Sequence, residues 1–285
     1  MKRTLKGLFC VLLSCSAFAA SPDAVRKRAE ISMLVTGSIL VSPDGSVQSY
    51  TVDQPDKLPS VVVDVLGKNV PTWKFEPVTV DGKPVLAKAR MSVRIVGKRV
   101  DDSHDAISIA GAQFGENNHA TDESISYKTR EAPAYPRMAV ESRVPGTVYL
   151  LLRVDRQGQV ADAAVEQVNL GAYGNDIQME RFRRVLADAT LKAAVHWTFT
   201  IPTTGKHADD KYWVVRVPVN FDLNPAGQSS PRDAYGHWQV YVPGPRQLVP
   251  WVDNKLIAGG ADAMPAGGIH QLDQALHLTT PLSSI

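Results

Sequence analysis

The sequence predicts an α+β protein made of two tandem units, each a small antiparallel three-stranded sheet with one helix packed on a face. Two observations carry this expectation. Between Pro133 and Leu223 the apolar pattern switches from period two to period 3.6 and back, in the order strand, strand, helix, strand. A divergent copy of that order precedes it over residues 30–97. A lone small sheet leaves its apolar face wet, and a single helix is enough to cover it.

The second unit, 133–223, is the clearer one. Pro133-Ala134-Tyr135-Pro136 leads into a short amphipathic run, Arg137 to Ser142. Gly146 then opens Thr147 to Asp155, whose β-branched, aromatic and Leu residues suit a strand. Gln157-Gly158 turns the chain into Val160–Val168, a hairpin. Phe182, Val185, Leu186, Ala189 and Ala193 recur at helical spacing, with Arg183, Arg184, Asp188 and Lys192 opposite them. Val195 to Phe199 leaves the helix, and Pro202 and Gly205 break the chain. Tyr212 to Leu223 closes the unit, alternating Trp213, Val215, Val217, Val219 and Phe221 against Val214, Arg216, Pro218 and Asn220.

In the first unit, 30–97, Ile31 to Val41 reads as a strand broken near Gly37. Pro43-Asp44-Gly45 turns it into Val47–Val52. Leu58, Val61, Val62, Val65 and Leu66 form a helical stripe, with Pro59 in the first turn and Pro71 at the end. Trp73-Lys74-Phe75, the turn Asp81-Gly82 and a strand from Leu86 to Val96 follow. Gly37 matches Gly146, Gly45 matches Gly158, Trp73-x-Phe75 matches Trp197-x-Phe199, and Gly82-Lys83 matches Gly205-Lys206. The second copy carries an insertion around Leu170 to Met179. Residues 98–132 read as a polar linker with an apolar patch at Ile107–Ile109. Residues 224–285 read as a Pro/Gly-rich extension in which Trp238 to Val242 forms a strand able to cover a sheet edge.

Tyr135-Pro136 with Ala139, Gly146-Thr147-Val148, Val154-Asp155, Gly158-Gln159-Val160, Trp197-Thr198-Phe199 and Val217-Pro218-Val219-Asn220-Phe221 together resemble, in order, the TonB carboxy-terminal domain family. Gln157-Gly158 stands where the family has Asp-Gly, and the proline after W-x-F is displaced to Pro202. The first copy resembles the family more weakly. It lacks the YPxxA start but matches at Pro43-Asp44-Gly45, Trp73-Lys74-Phe75-Glu76-Pro77 and Asp81-Gly82. The resemblance implies a domain that engages outer-membrane receptors by strand addition and passes on energy from the inner-membrane proton gradient. A transducer also needs an inner-membrane helix and a long Pro-rich spacer, and neither is read here.

Lys2, Arg3 and Lys6, the apolar run Gly7–Ser16 and Ala17-Phe18-Ala19 read as a signal peptide over 1–19, cut between Ala19 and Ala20. The competing reading is a lipoprotein anchored at Cys15. Without the signal, 28 basic groups face 29 acidic ones, a formal charge of −1. Nothing in that balance points to nucleic acid. Cys10 and Cys15 leave with the signal, so no thiol remains for a disulfide or a metal. The expected location is the periplasm.

No nucleophile elbow, phosphate loop, HExxH or dinucleotide fingerprint occurs, so no enzyme, no cofactor and no small-molecule substrate is expected. Asp101, Asp102, His104 and Asp105 form the densest group of metal-ligand types, yet they read as solvated linker. His207, Asp209 and Asp210 read as a solvated turn. His196 reads as a helix-end or packing residue, and Trp73 and Trp197 as core plugs. Function is left to a surface. An edge strand offers unpaired N–H and C=O groups to a partner's extended segment. The candidate edge residues are Tyr212, Val214, Arg216, Val217 and Val219 in the second unit, and Val93 and Arg94 in the first. The expected partner is a protein of the Gram-negative envelope, with an outer-membrane TonB-dependent receptor as the specific candidate. Two other readings stay open: an envelope structural or assembly factor, and a membrane-retained energy transducer.

Overall fold

The computed structural model describes residues 30–99, 105–115, 122–223, 235–253, 260–265, 267–273 and 276–282. The leader with Cys15, Ala19 and Ala20 lies outside them, as do Asp101, Asp102 and His104. The architecture is α+β, mostly antiparallel sheet with few helices.

The first sheet starts with β1 (Glu30–Val41), which runs unbroken through Gly37. A side chain at Gly37 would meet the Thr51 carbonyl oxygen at 2.0 Å, so glycine there lets β2 (Val47–Val52) close against β1 rather than ending it. Helix α1 (Ser60–Asn69) buries Val62 and Leu66 against the sheet. Val61, counted in the apolar stripe, is exposed instead. A short hairpin, β3 (Thr79–Val80) and β4 (Lys83–Pro84), precedes β5 (Ala87–Arg99). β5 pairs with β1 along one side and with β6 (Asp105–Gly115) along the other. The supposed linker therefore holds an 11-residue strand. Its Phe114 ring meets Trp73 and Phe75 edge-on, at 5.7 and 4.8 Å between centroids.

Beyond β6, β7 (Ser126–Thr129) and the short α2 (Arg137–Glu141) lead into the second sheet. Its central strand is β8 (Gly146–Asp155), followed by β9 (Val160–Leu170). Tyr149, Leu150, Leu151 and Leu152 are all buried. β8 is covered on both faces, which is why its sequence is a continuous apolar run and not an alternation. Helix α3 (Asp176–Ala194) covers one face and is opened by a capping box between Asn175 and Gln178. Its buried stripe is Met179, Leu186, Thr190 and Ala194. Arg183, expected in water, instead donates to the carbonyls of Val168, Val242 and Pro243. β10 (Thr198–Thr200) pairs with β7, and β11 (Tyr212–Phe221) pairs with β8 along its whole length.

The hairpin turns of the two sheets have the same local geometry. Gly45 and Gly158 sit at φ 79° and 74°, the left-handed region that glycine adopts without strain. A Cβ at either would lie 2.1 Å from the carbonyl oxygen of Phe75 or Phe199 respectively. Each glycine carbonyl accepts the amide of that same phenylalanine at 2.8 Å.

The extension is woven through both sheets. β12 (Gln239–Tyr241) pairs with the start of β1, Val242 bridges Leu170, and β13 (His270–Gln271) pairs with β11. Leu278 then bridges Phe75, and the Thr279 amide donates to Lys74. Trp73 and Trp197 are buried, and the Trp197 Nε1–H donates to the Glu131 carbonyl at 2.8 Å. We expect Trp197→Ala to destabilise the protein by about 3–5 kcal/mol, through lost burial and the cavity left behind. Chemical denaturation of the two chains measures it.

Candidate functional site

The site is built on β11, and the structure sorts its two sides. Leu272 N–H donates to the Val214 carbonyl at 3.0 Å, and Gly267 N–H to the Pro218 carbonyl at 3.4 Å. The main-chain groups of Val214 and Pro218 therefore point away from β8. Strand alternation places those of Arg216 and Asn220 on the same outer side, and those of Val215, Val217 and Val219 toward β8. Pro218 has no N–H to offer at that rim.

The candidate edge residues fall into four groups. Val217 and Val219 are buried, and their main-chain groups serve the inner ladder, so they are not edge groups. Tyr212 is exposed, with the Arg153 guanidinium over its ring at 4.9 Å, and Val214 is partly buried at the outer rim. Arg216 is not a solvent-facing side chain: it is fully buried. Val93 and Arg94 are corrected outright. β5 is flanked by β1 and β6, so no docking edge exists there. The sequence could not reveal this, because central and edge strands carry the same alternation.

Arg216 belongs to a charge cluster that no local pattern announced. Its Nε and Nη2 donate to the two Glu166 oxygens at 2.6 and 2.9 Å, and Arg246 donates to Glu166 Oε1 through Nε and Nη2 at 2.8 and 2.6 Å. Burial pushes the Arg216 guanidinium below its ordinary value, while the Glu166 carboxylate pulls it back up. Beside this cluster, Asp262 accepts from Arg94 through its carbonyl and from Asn169 through Oδ2. Arg94 stands on the first sheet and Asn169 on the second, so Asp262 of the extension joins the two.

The remaining candidates are two histidines and their neighbours. His207 Nδ1 lies 2.7 Å from Asp210 Oδ2, and its carbonyl accepts from the Trp213 Nε1–H, so this turn is packed and not merely solvated. His196 is exposed at the exit of α3. Among the described residues no group of three or more His, Cys, Asp or Glu is placed to hold a metal. None of their helices is long and apolar enough to cross a membrane.

Two expectations follow. Glu166→Gln strips a buried carboxylate from two arginines and should cost about 3–5 kcal/mol, read by urea unfolding. The second concerns His270 on β13. Burial pushes its imidazole down to about 4 from 6.5, and the nearby Arg216 adds to this, while the Pro265 carbonyl opposes it. Between those pH values the unfolded chain binds the proton that the folded chain refuses, so stability falls as pH drops from about 6.5 to 4. The loss should approach about 3 kcal/mol and shrink in His270→Gln, measured as unfolding midpoints across that range.

The comparisons with known proteins come down to one relationship. The chain is 36% identical over 101 residues to Protein TonB of Xanthomonas campestris pv. campestris, in strain B100 and equally in strain ATCC 33913. The match takes 35% of this chain and spans 39% of each relative. No family model matches, and no solved structure matches. The chain thus contains a TonB-like domain, and what it shares with these relatives is well under half of their length.

Proposed function

We propose that this chain is a non-catalytic TonB-like module of the Gram-negative envelope, exposed to the periplasm, that holds a protein partner by main-chain pairing at a sheet edge. The observation that carries the reading is the 36% identity with Protein TonB, on a fold of small antiparallel sheets. In this reading residues 30–97 and 133–223 are two copies of one unit. The matched turn geometry at Gly45 and Gly158, each locked to the phenylalanine of its own W-x-F, supports it. The partner class is an envelope protein, with a TonB-dependent receptor as the specific candidate. The signal peptide 1–19 with its cut at Ala19–Ala20 remains part of this proposal.

A membrane-retained energy transducer is the second reading, and the TonB relationship favours it as far as role is concerned. A third, an envelope structural or assembly factor, is favoured by the extension, which ties both sheets into one covered body through Asp262.

The test follows from the sides of β11. Val214→Pro removes a donor from the outer rim, whereas Val214→Ala keeps the main chain intact. In binding assays against purified TonB-dependent receptors from the same envelope, the proline variant should lose binding and the alanine variant retain it, with circular dichroism confirming both folds. A folded proline variant that binds normally rules out β11. Loss of proton-motive-force-dependent siderophore uptake on deleting the gene selects the transducer reading over a passive binder.

A further inference from the structure

Among the described residues, β5 and β11 each already meet a further strand of this chain on the side away from β1 and β8 respectively. In the first sheet, β6 runs beside β5 in a ladder from Arg90↔Gly115 to Arg99↔Asp105. In the second, the strand found beside β11 among the described residues is β13, 2 residues long, in the register Val215↔Gln271 and Arg216↔His270. The first closure is a full strand of the sheet. The second has the size and pose of a bound peptide.

We propose that β13 is an intramolecular stand-in for a partner's extended segment, and that the partner takes the outer edge of β11 by displacing it. This rests on the strand-addition reading of the protein. The energetics favour exchange at this place. Two ladder pairs, flanked by the Leu272–Val214 and Gly267–Pro218 bonds, hold β13 to β11. A short segment held this way opens locally at a small fraction of the cost of global unfolding. The described residues just before β13 are also held by side chains, with Arg246 on Glu166 and Asp262 between Arg94 and Asn169. That part stays bound when β13 leaves.

The occupant also states what a partner must look like. Leu272 is buried in an apolar cluster with Leu151, Val249 and Val252, and Ile269 is buried three residues before it. The intervening His270 and Gln271 form the ladder. His270 pairs with Arg216, whose buried guanidinium stands beside the ring. Burial together with that guanidinium therefore favours a neutral side chain at this position and rejects a cation. Pro218 lacks an outward N–H, so the ladder cannot extend with full pairing toward Phe221. The partner is accordingly a short extended segment with branched apolar residues three apart and a neutral residue directly after the first of them.

The experiment uses the chain's own segment as probe. A synthetic peptide of residues 267–273 is titrated onto the full chain and onto full-length Leu272→Pro, which loses both the plug and the bond to Val214. The variant should bind the peptide at least about tenfold more tightly than the native chain, since its edge is no longer pre-occupied. Lysine in place of His270 in the peptide should remove that binding. A folded variant that binds no better than the native chain overturns the proposal, as does a lysine peptide that binds equally well. Should Leu272→Pro fail to fold, hydrogen exchange on the native chain decides. Amides of Gly267 and Leu272, which donate to β11, exchanging at least about a hundredfold faster than those of Val215 and Val217 support exchangeability, and exchange only on global unfolding overturns it. Peptide binding with no receptor binding would refute the envelope partner while leaving the docking edge in place.

Discussion

The constraint on which this structure depends is the main chain at the rim of a small sheet. A sheet of three strands has two rims for one interior strand, and each bare rim exposes a row of donors and acceptors. The chain answers with segments that belong to neither sheet by sequence pattern. β6 comes from the stretch between the units and closes β5. β12 and β13 come from the extension and close the start of β1 and the middle of β11. Leu278 and Tyr127 perform related tasks at the two W-x-F sites: Leu278 bridges Phe75, and Tyr127 pairs with Phe199 from β7. The added segments are what turn two half-covered sheets into a continuous body.

The polar cost of that body is met at one place. The extension crosses the second sheet over Glu166, whose carboxylate is fully buried, and a buried carboxylate needs partners. Arg216 from the sheet and Arg246 from the extension both supply them. An ion pair of this kind contributes little net stability over an apolar substitute, because desolvation offsets most of the attraction. What it provides is position: the arginine fork and the carboxylate fit in one geometry, so the extension is fixed relative to β9 and β11. Asp262 extends the same logic to the first sheet by accepting from Arg94 and Asn169 at once.

Local features of the fold were legible from the sequence because their causes are local. Gly45 and Gly158 announce hairpins, the Leu58–Leu66 and Phe182–Ala193 stripes announce helices, and Tyr149 to Leu152 announces a strand. The rest depended on partners far along the chain. β6 contains Ala106, Ala110, Gly111 and Ala112, which dilute its strand signal, and it becomes a strand by pairing with β5. β13 is too short to show any period. Arg183 and Arg216 looked solvent-facing because charge is the usual mark of an outer face. Both are instead held by groups 15 and 50 residues away in sequence. Of the candidate site, the strand β11 was legible, but which of its sides is the rim was not, since that depends on where β8 lies.

That last distinction changes how proline should be used to probe this edge. Val217 is the attractive residue to replace by its place in the closing strand, yet its main chain serves β8. A proline there would break the interior ladder and report on folding. Val214 and Arg216 face the rim, and Arg216 is tied to Glu166, so its replacement would report on the charge cluster as well. Val214 is the one outer position whose side chain contributes modestly to packing while its amide faces the place where β13 now lies. Pro218 already shows what nature does at this rim, since its missing N–H limits the ladder from one end. An edge with a limited ladder beside an apolar cluster selects short segments, which is the kind of occupant that β13 is.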